Sequence, residues 1–150
     1  MIAVIQRVTE ASVTIEGRVH SKIATGFLVL LGIAHQDTLE DVEWLAGKIA
    51  GLRIFGDEAG KMNRSLAEAG GNILLISQFT LHASTKKGNR PSFTEAAPPP
   101  VAFPLYEAMI LRLQQLIGKK VETGIFGADM KVSLLNDGPV TIIIDSKNRK

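Results

Sequence analysis

The sequence predicts an α+β domain in which a mainly antiparallel sheet is covered by two helices. Three observations lead to this class. Apolar and polar residues alternate near both ends of the chain, two stretches between them carry apolar residues at helical spacing, and the segment order is strands, helix, strand, helix, strands. No internal repeat or linker divides the 150 residues, so residues 1–150 form a single domain. A chain of that length buries roughly 68–70% of the surface its unfolded form exposes, enough for a core without staples.

Taken in order, "IAVIQRV" and "SVTIEGRVHSKI" alternate, with Val13 and Ile15 on one face and "EGR" as the turn, so Ile2 to Ile23 reads as two consecutive antiparallel strands. The run "GFLVLLGIA" is apolar throughout and predicts a strand buried on both faces. The next segment carries Leu39, Val42, Leu45, Ala46 and Ile49 on one helical stripe, with Asp37 as the expected N-cap and Glu40 three residues later. "GDEAGKMNRSLAEAGGN" reads as loop and "ILLISQFTL" as a strand. Between His82 and Pro100 lies a stretch rich in Ser, Thr, Pro and Lys; a structureless loop of such length inside a compact domain is commonly functional. A second helix is expected from about Val101 to Ile117, with Leu105, Met109, Leu113 and Leu116 on its stripe and Gly118 as its stop. "VETGIF", "MKVSLLN" and "PVTIIID" supply three further strands. Asn-Asp-Gly-Pro between the last two is a strong hairpin signal, because Gly138 accepts the positive φ of a tight primed turn. Pro139 complicates that reading, since it removes a donor where the returning strand should begin pairing and admits a cis peptide.

Composition excludes several classes of function. There is no cysteine, so disulfides, thiolate catalysis and Cys-ligated metals are ruled out. The longest apolar run is too short to span a bilayer, and residues 1–15 lack the features of a secretory signal, so a cytoplasmic protein without a membrane is expected. The net charge of +2 is unevenly spread: residues 1–83 hold 7 basic and 9 acidic side chains, residues 84–150 hold 10 and 6. The excess concentrates in "KKGNR", with Lys86, Lys87 and Arg90, and in a basic tail, 146–150, whose order the sequence leaves open. Such clusters meet phosphates or are solvated loop charges.

Familiar catalytic constellations are missing: there is no G-x-S-x-G elbow, no phosphate loop and no H-E-x-x-H. His20, His35 and His82 are far apart in sequence, and Asp129 and Asp137 need burial to act as a dyad. Neither a metal nor a cofactor is expected. Polar residues interrupt both faces of "ILLISQFTL", with Gln78 and Thr80 on one and Ser77 on the other. Unpaired buried polar groups cost about 1–3 kcal/mol each, so this pattern marks a strand end, a watered pocket or a ligand site.

"SQFTL" at Ser77 to Leu81 and "NDGPVT" at Asn136 to Thr141 together resemble the D-aminoacyl-tRNA deacylases. "MIAVIQRVTEASV", "GLRIF", "GKMN", "RPSF" and "FGADMKVSLLNDGPVT" extend the resemblance over nearly the whole chain. The triple proline Pro98 to Pro100 and the basic extension after Ile144 depart from it without touching either motif. The resemblance implies the fold of those enzymes, layered β/β/α, and a homodimeric hydrolase that frees D-amino acids, or glycine mischarged on tRNA-Ala, from the 3′ end of tRNA while sparing L-aminoacyl-tRNA. It implies that Gly138 and Pro139 form a cis peptide inserted into the partner subunit's site as a chiral filter, with Asn136, Met130 and Arg7 in support. Ser77, Gln78, Phe79 and Thr80 would form the catalytic pocket, with backbone N–H groups around Phe79 and Thr80 as an oxyanion hole, and Lys86, Lys87 and Arg90 would bind tRNA. The competing expectation is a non-catalytic nucleic-acid-binding module.

Overall fold

A computed structural model describes residues 1–150 as eight strands and two helices around two apolar cores. Strands β1 (Ile2–Ile15) and β2 (Arg18–Ile23) form the expected hairpin, closed by Glu16 and Gly17, both at positive φ (50° and 76°) as a two-residue primed turn requires. Strand β3 (Gly26–Gly32) pairs antiparallel with the first half of β1, and α1 (Leu39–Gly51) follows. A short hairpin, β4 (Phe55–Gly56) with β5 (Met62–Arg64), occupies the region expected to be loop. Strand β6 (Asn72–Ser77) then lies parallel to β3, α2 (Pro99–Ile117) crosses to the helical layer, and the brief β7 (Glu122–Thr123) pairs parallel to β6. Strand β8 (Lys131–Asp145) runs antiparallel along the outer edge of β1.

The sheet is therefore mixed and curls toward a barrel. The α+β class and the two helices hold, but the description as mainly antiparallel does not, because β3, β6 and β7 are mutually parallel. Parallel neighbours need covering on both faces, and β3 and β6 are covered accordingly. Phe27, Val29, Leu31, Ile73 and Leu75 face the helices and join Leu45, Ile49, Met109 and Leu113, while Leu28, Leu74 and Ile76 face the opposite core. Strand β1 serves both cores. Ala3 and Ile5 point to the helical side, but Val8, Ala11 and Val13 all point to the other. Period-2 alternation forbids that unless the parity changes, and it changes between Val8 and Glu10, where the pairing with β8 slips by one residue.

Three local expectations give way to tertiary contacts. The first helix is capped by Thr38, whose N–H donates to the Asp41 carboxylate at 2.9 Å, and not by Asp37 with Glu40. Asp37 is claimed elsewhere: it is buried against the Met1 ammonium at 2.7 Å and accepts the Ala34 N–H at 2.7 Å. Leu39 and Leu116, expected on the helical stripes, are exposed at the helix ends, and the rest of both stripes is buried. The last two expected strands are one strand, and Asn-Asp-Gly-Pro is not a hairpin. Gln6 pairs with Thr141 and Val8 with Asn136, so four residues of β8, Asp137 to Val140, stand against Arg7 alone. The chain bulges out and continues in the same direction.

The first and last segments meet on α1. Ser146 Oγ accepts from the Met1 ammonium at 3.0 Å and donates to Asp41 at 2.6 Å. Lys147 reaches the other Asp41 oxygen at 2.9 Å, and the Arg149 guanidinium lies 4.4 Å over the Trp44 ring, so the basic tail lies along α1. Burial alone would raise the Asp41 carboxyl, but hydrogen bonds from Ser146, Lys147 and the Thr38 backbone outweigh it and hold the group at about 2. A carboxyl depressed on folding stabilises above its unfolded value near 3.9, and the contribution disappears as pH falls through the folded value. At neutral pH it is worth about 2–3 kcal/mol. Asp41→Asn should lower stability by about that amount at pH 7 and flatten its decline between about pH 5 and pH 2, as read by urea unfolding at stepped pH.

Candidate active site

A cleft of about 620 Å³ opens at the carboxyl end of β6, the ordinary place for a ligand beside parallel strands. One wall is the end of β6 and the turn after it: Ile76, Ser77, Gln78 and Phe79. The expected strand through Leu81 stops at Ser77, and Phe79–His82 form a 3₁₀ turn. Gln78 N–H donates to the Leu31 carbonyl at 2.8 Å, which fixes the turn to β3. Gly32 makes the fit possible, since a Cβ there would stand 2.9 Å from Leu81 Cβ and 3.1 Å from the Gln78 carbonyl oxygen. At the start of such a turn the N–H groups of Phe79 and Thr80 have no carbonyl one turn back within it.

The second wall comes from the long segment before α2. It is pinned at both ends and is not structureless. Ser84 and Ser92 exchange backbone hydrogen bonds of 2.7 and 2.9 Å, Ala34 bridges Ala96, and His35 Nε2 contacts the Thr94 carbonyl oxygen at 3.0 Å. This brings Phe93 edge-on to Phe79, with centroids 5.1 Å apart. The third wall, Phe126 to Met130 with Val132, leads into β8.

Of the residues singled out from sequence, Ser77, Gln78, Phe79 and Met130 line the cleft. Thr80 is exposed beside it and accepts a short hydrogen bond from the Gln78 side-chain amide. Lys86, Lys87 and Arg90 are exposed on the loop that the Ser84 and Ser92 bonds close. Gly138, Pro139, Asn136 and Arg7 stand outside the cleft: Asn136 lies roughly 14 Å beyond Val132, the cleft residue on β8, at the ordinary rise of a strand. There the Gly138–Pro139 peptide is cis, Gly138 has φ 132°, and both residues are exposed. Arg7 Nε donates to the Asp137 carbonyl at 3.0 Å, its Nη1 to the Ile54 carbonyl at 2.6 Å, and its guanidinium pairs with the Asp137 carboxylate at 3.5 Å. The Asn136 side chain closes the bulge, accepting from Val140 N–H and donating to the Thr141 hydroxyl, both at 3.1 Å.

The cleft contains one ionisable residue, Asp129, which is exposed and paired with Lys131 at 3.0 Å. Asp137 is occupied by Arg7, so the two carboxylates form no dyad. Tyr106 lies beneath, donating to the Leu75 carbonyl at 3.3 Å, and burial pushes its phenol up to about 12, so it stays protonated at neutral pH. Thr80 has a donor, not a base, against its oxygen. The walls offer an apolar surface to a flat group, and no base stands against the Thr80 hydroxyl. Sequence reading missed Phe93, Phe126 and Ala97 as cleft residues; two isolated aromatics in otherwise polar or glycine-rich stretches were the available signal.

The fold is that of a deacylase: a solved structure described as a probable eukaryotic D-amino acid tRNA deacylase superposes with a TM-score of 0.83 over 95% of this chain and 97% of that one, at 16% identity. The chain belongs to the D-Tyr-tRNA(Tyr) deacylase family, whose model matches residues 4–145. It is 65% identical to a D-aminoacyl-tRNA deacylase of Cytophaga hutchinsonii and 62% identical to one of Parabacteroides distasonis, each over the full length of both chains. It is also similar to the c-Myc DNA Unwinding Element Binding Protein, with a TM-score of 0.90 and 42% identity over 97% of this chain and 98% of that one.

Proposed function

We propose that the chain hydrolyses the ester between a D-amino acid and the 3′ end of tRNA. The observation that carries this reading is a cleft with backbone donors and no acid–base pair, in a chain of this family. An aminoacyl ester is already activated: water adds to the carbonyl, the C–O bond breaks, and the free amino acid and the tRNA hydroxyl leave. The neighbouring 2′-hydroxyl of the terminal ribose helps to orient the water, so the protein needs only to hold the ester and stabilise the oxyanion. A backbone or side-chain donor at such a site is worth about 2.7–4 kcal/mol. Phe79 and Thr80 N–H are the donors in this reading, Ser77, Gln78 and Phe79 shape the adenosine and ester pocket, and Thr80 positions the ester. Glycyl-tRNA mischarged on tRNA-Ala, having no side chain of either hand, is a second substrate.

Chirality is read by exclusion. An apolar pocket separates ligands differing by a methylene by only about 1–3 kcal/mol, so a clash with the wrong hand discriminates better than attraction to the right one. The Gly138 and Pro139 carbonyls are the rigid element, holding the substrate ammonium and leaving no room for an L side chain. Because the bulge stands so far along β8 from its own cleft, it acts in the partner subunit of a homodimer. The free edge of β8, with Leu135 and Ile143 exposed on either side of the bulge, supports pairing with a second copy. No helix is long and apolar enough to cross a membrane, in keeping with a tRNA-acting cytoplasmic enzyme.

Wild-type protein should release D-amino acid and spare the L-ester, and Thr80→Ala should keep measurable hydrolysis; loss of all turnover in Thr80→Ala would count against a role in positioning alone. Leu135→Asp with Ile143→Asp should give monomers that lose hydrolysis although the cleft is untouched. Sedimentation showing a fully active monomer would overturn the shared site. Neutralising Lys86, Lys87 and Arg90 together should weaken tRNA binding and flatten its dependence on salt, measured by filter retention across a salt series.

A second reading, a non-catalytic nucleic-acid-binding module, draws on the basic loop and on the likeness to the c-Myc DNA Unwinding Element Binding Protein. It expects salt-sensitive binding without ester loss, so the same deacylation assay separates the two.

A further inference from the structure

We infer that Gly124 is a positioning residue that sets the depth of the cleft through Met130. For its substrate this rests on the deacylase reading above; its geometry stands independently. Gly124 directly follows β7 and is half-buried. It is not among the glycines at positive φ, so the backbone there does not require glycine. Space does. A Cβ at position 124 would lie 2.3 Å from Met130 Sδ and 3.3 Å from Ile76 Cδ1, whereas carbon contacts are optimal at about 3.5–4.0 Å. The Met130 thioether therefore occupies the volume a side chain at 124 would fill.

Met130 and Ile76 both line the cleft and Gly124 does not, so Gly124 is the seat behind the wall. Any side chain added there meets Ile76 on one side and drives Met130 forward, into the space where substrate sits. Gly32 makes a useful contrast. A Cβ at Gly32 collides with Leu81 Cβ and the Gln78 carbonyl oxygen, which are parts of the turn itself and move only with it. At Gly124 the obstacle is an unbranched side chain with three rotatable bonds, which moves without disturbing the strand. Substitution at Gly124 thus reshapes the cleft and leaves the fold in place.

The test is Gly124→Ala, compared with wild type in D-aminoacyl-tRNA hydrolysis and in methyl spectra of protein carrying 13C-methyl methionine, of which the chain has four. KM should rise roughly tenfold or more, within the range one methylene commands in an apolar pocket, with kcat nearly unchanged and the Met130 methyl resonance displaced. Gly124→Ala combined with Met130→Val should bring KM back toward wild type, because the shorter side chain vacates the seat. An unmoved Met130 resonance with normal KM, or a double variant no better than Gly124→Ala, would overturn the inference. Should Gly124→Ala fail to fold, Met130→Val alone decides: it should widen the cleft and lower KM for bulkier D-aminoacyl esters, and unchanged selectivity would count against the assignment. If wild type proves inactive on D-aminoacyl-tRNA, the deacylase reading falls, while the Met130 resonance still tests the seat.

Discussion

Strands β3 and β6 must be covered on both faces, and most of the remaining architecture answers that requirement. Their odd-numbered apolar residues need a layer of helices and their even-numbered ones need a second sheet surface. Helices α1 and α2 meet the first demand. Strand β1 meets the second by changing parity at its slip near Val8 and carrying β2 and β8 over the other face. Without that change Ala11 and Val13 would point away from the core they complete.

The site follows from where this arrangement ends. Strand β6 emerges from between its two cores at Ser77, and the chain turns at once because Gly32 lets the next residues press against β3. Apolar walls with a few backbone donors result, a surface suited to an ester that needs polarising but no strong base. The bulge proposed as the chiral element lies elsewhere for an equally physical reason. An exposed bulge can stand rigidly only where side chains tie it down, and Arg7 and Asn136 do so on β8, far from the cleft of their own chain.

Much of this was legible in the sequence where local and tertiary preferences agree. The β1 and β2 hairpin, the doubly buried β3 and the body of both helices follow from periodicity and turn chemistry alone. Failures occur where a distant partner decides. Parallel pairing of β3 with β6 is invisible to local pattern, because the same apolar run suits either direction. Asp37 has the chemistry of a helix cap but forms a buried ion pair, and Thr38 replaces it. Asn-Asp-Gly reads as a reversal, yet β1 continues to offer partners beyond it and the strand resumes its course. In the site, Ser77, Gln78, Phe79 and Met130 were recognisable by motif, whereas Phe93 and Phe126 enter the cleft only because segments remote in sequence are pinned beside β6.

The paired backbone bonds between Ser84 and Ser92 have a practical meaning for anyone wishing to modify the molecule. They form a stem that isolates the seven residues at its tip from Phe93 and the wall beyond, much as a handle is isolated from a blade. The length of the tip can then change without moving the wall, and a fluorescent reporter or an affinity peptide grafted between Thr85 and Pro91, with Lys86, Lys87 and Arg90 retained for their proposed contacts with tRNA, leaves the aromatic wall of the cleft where it is.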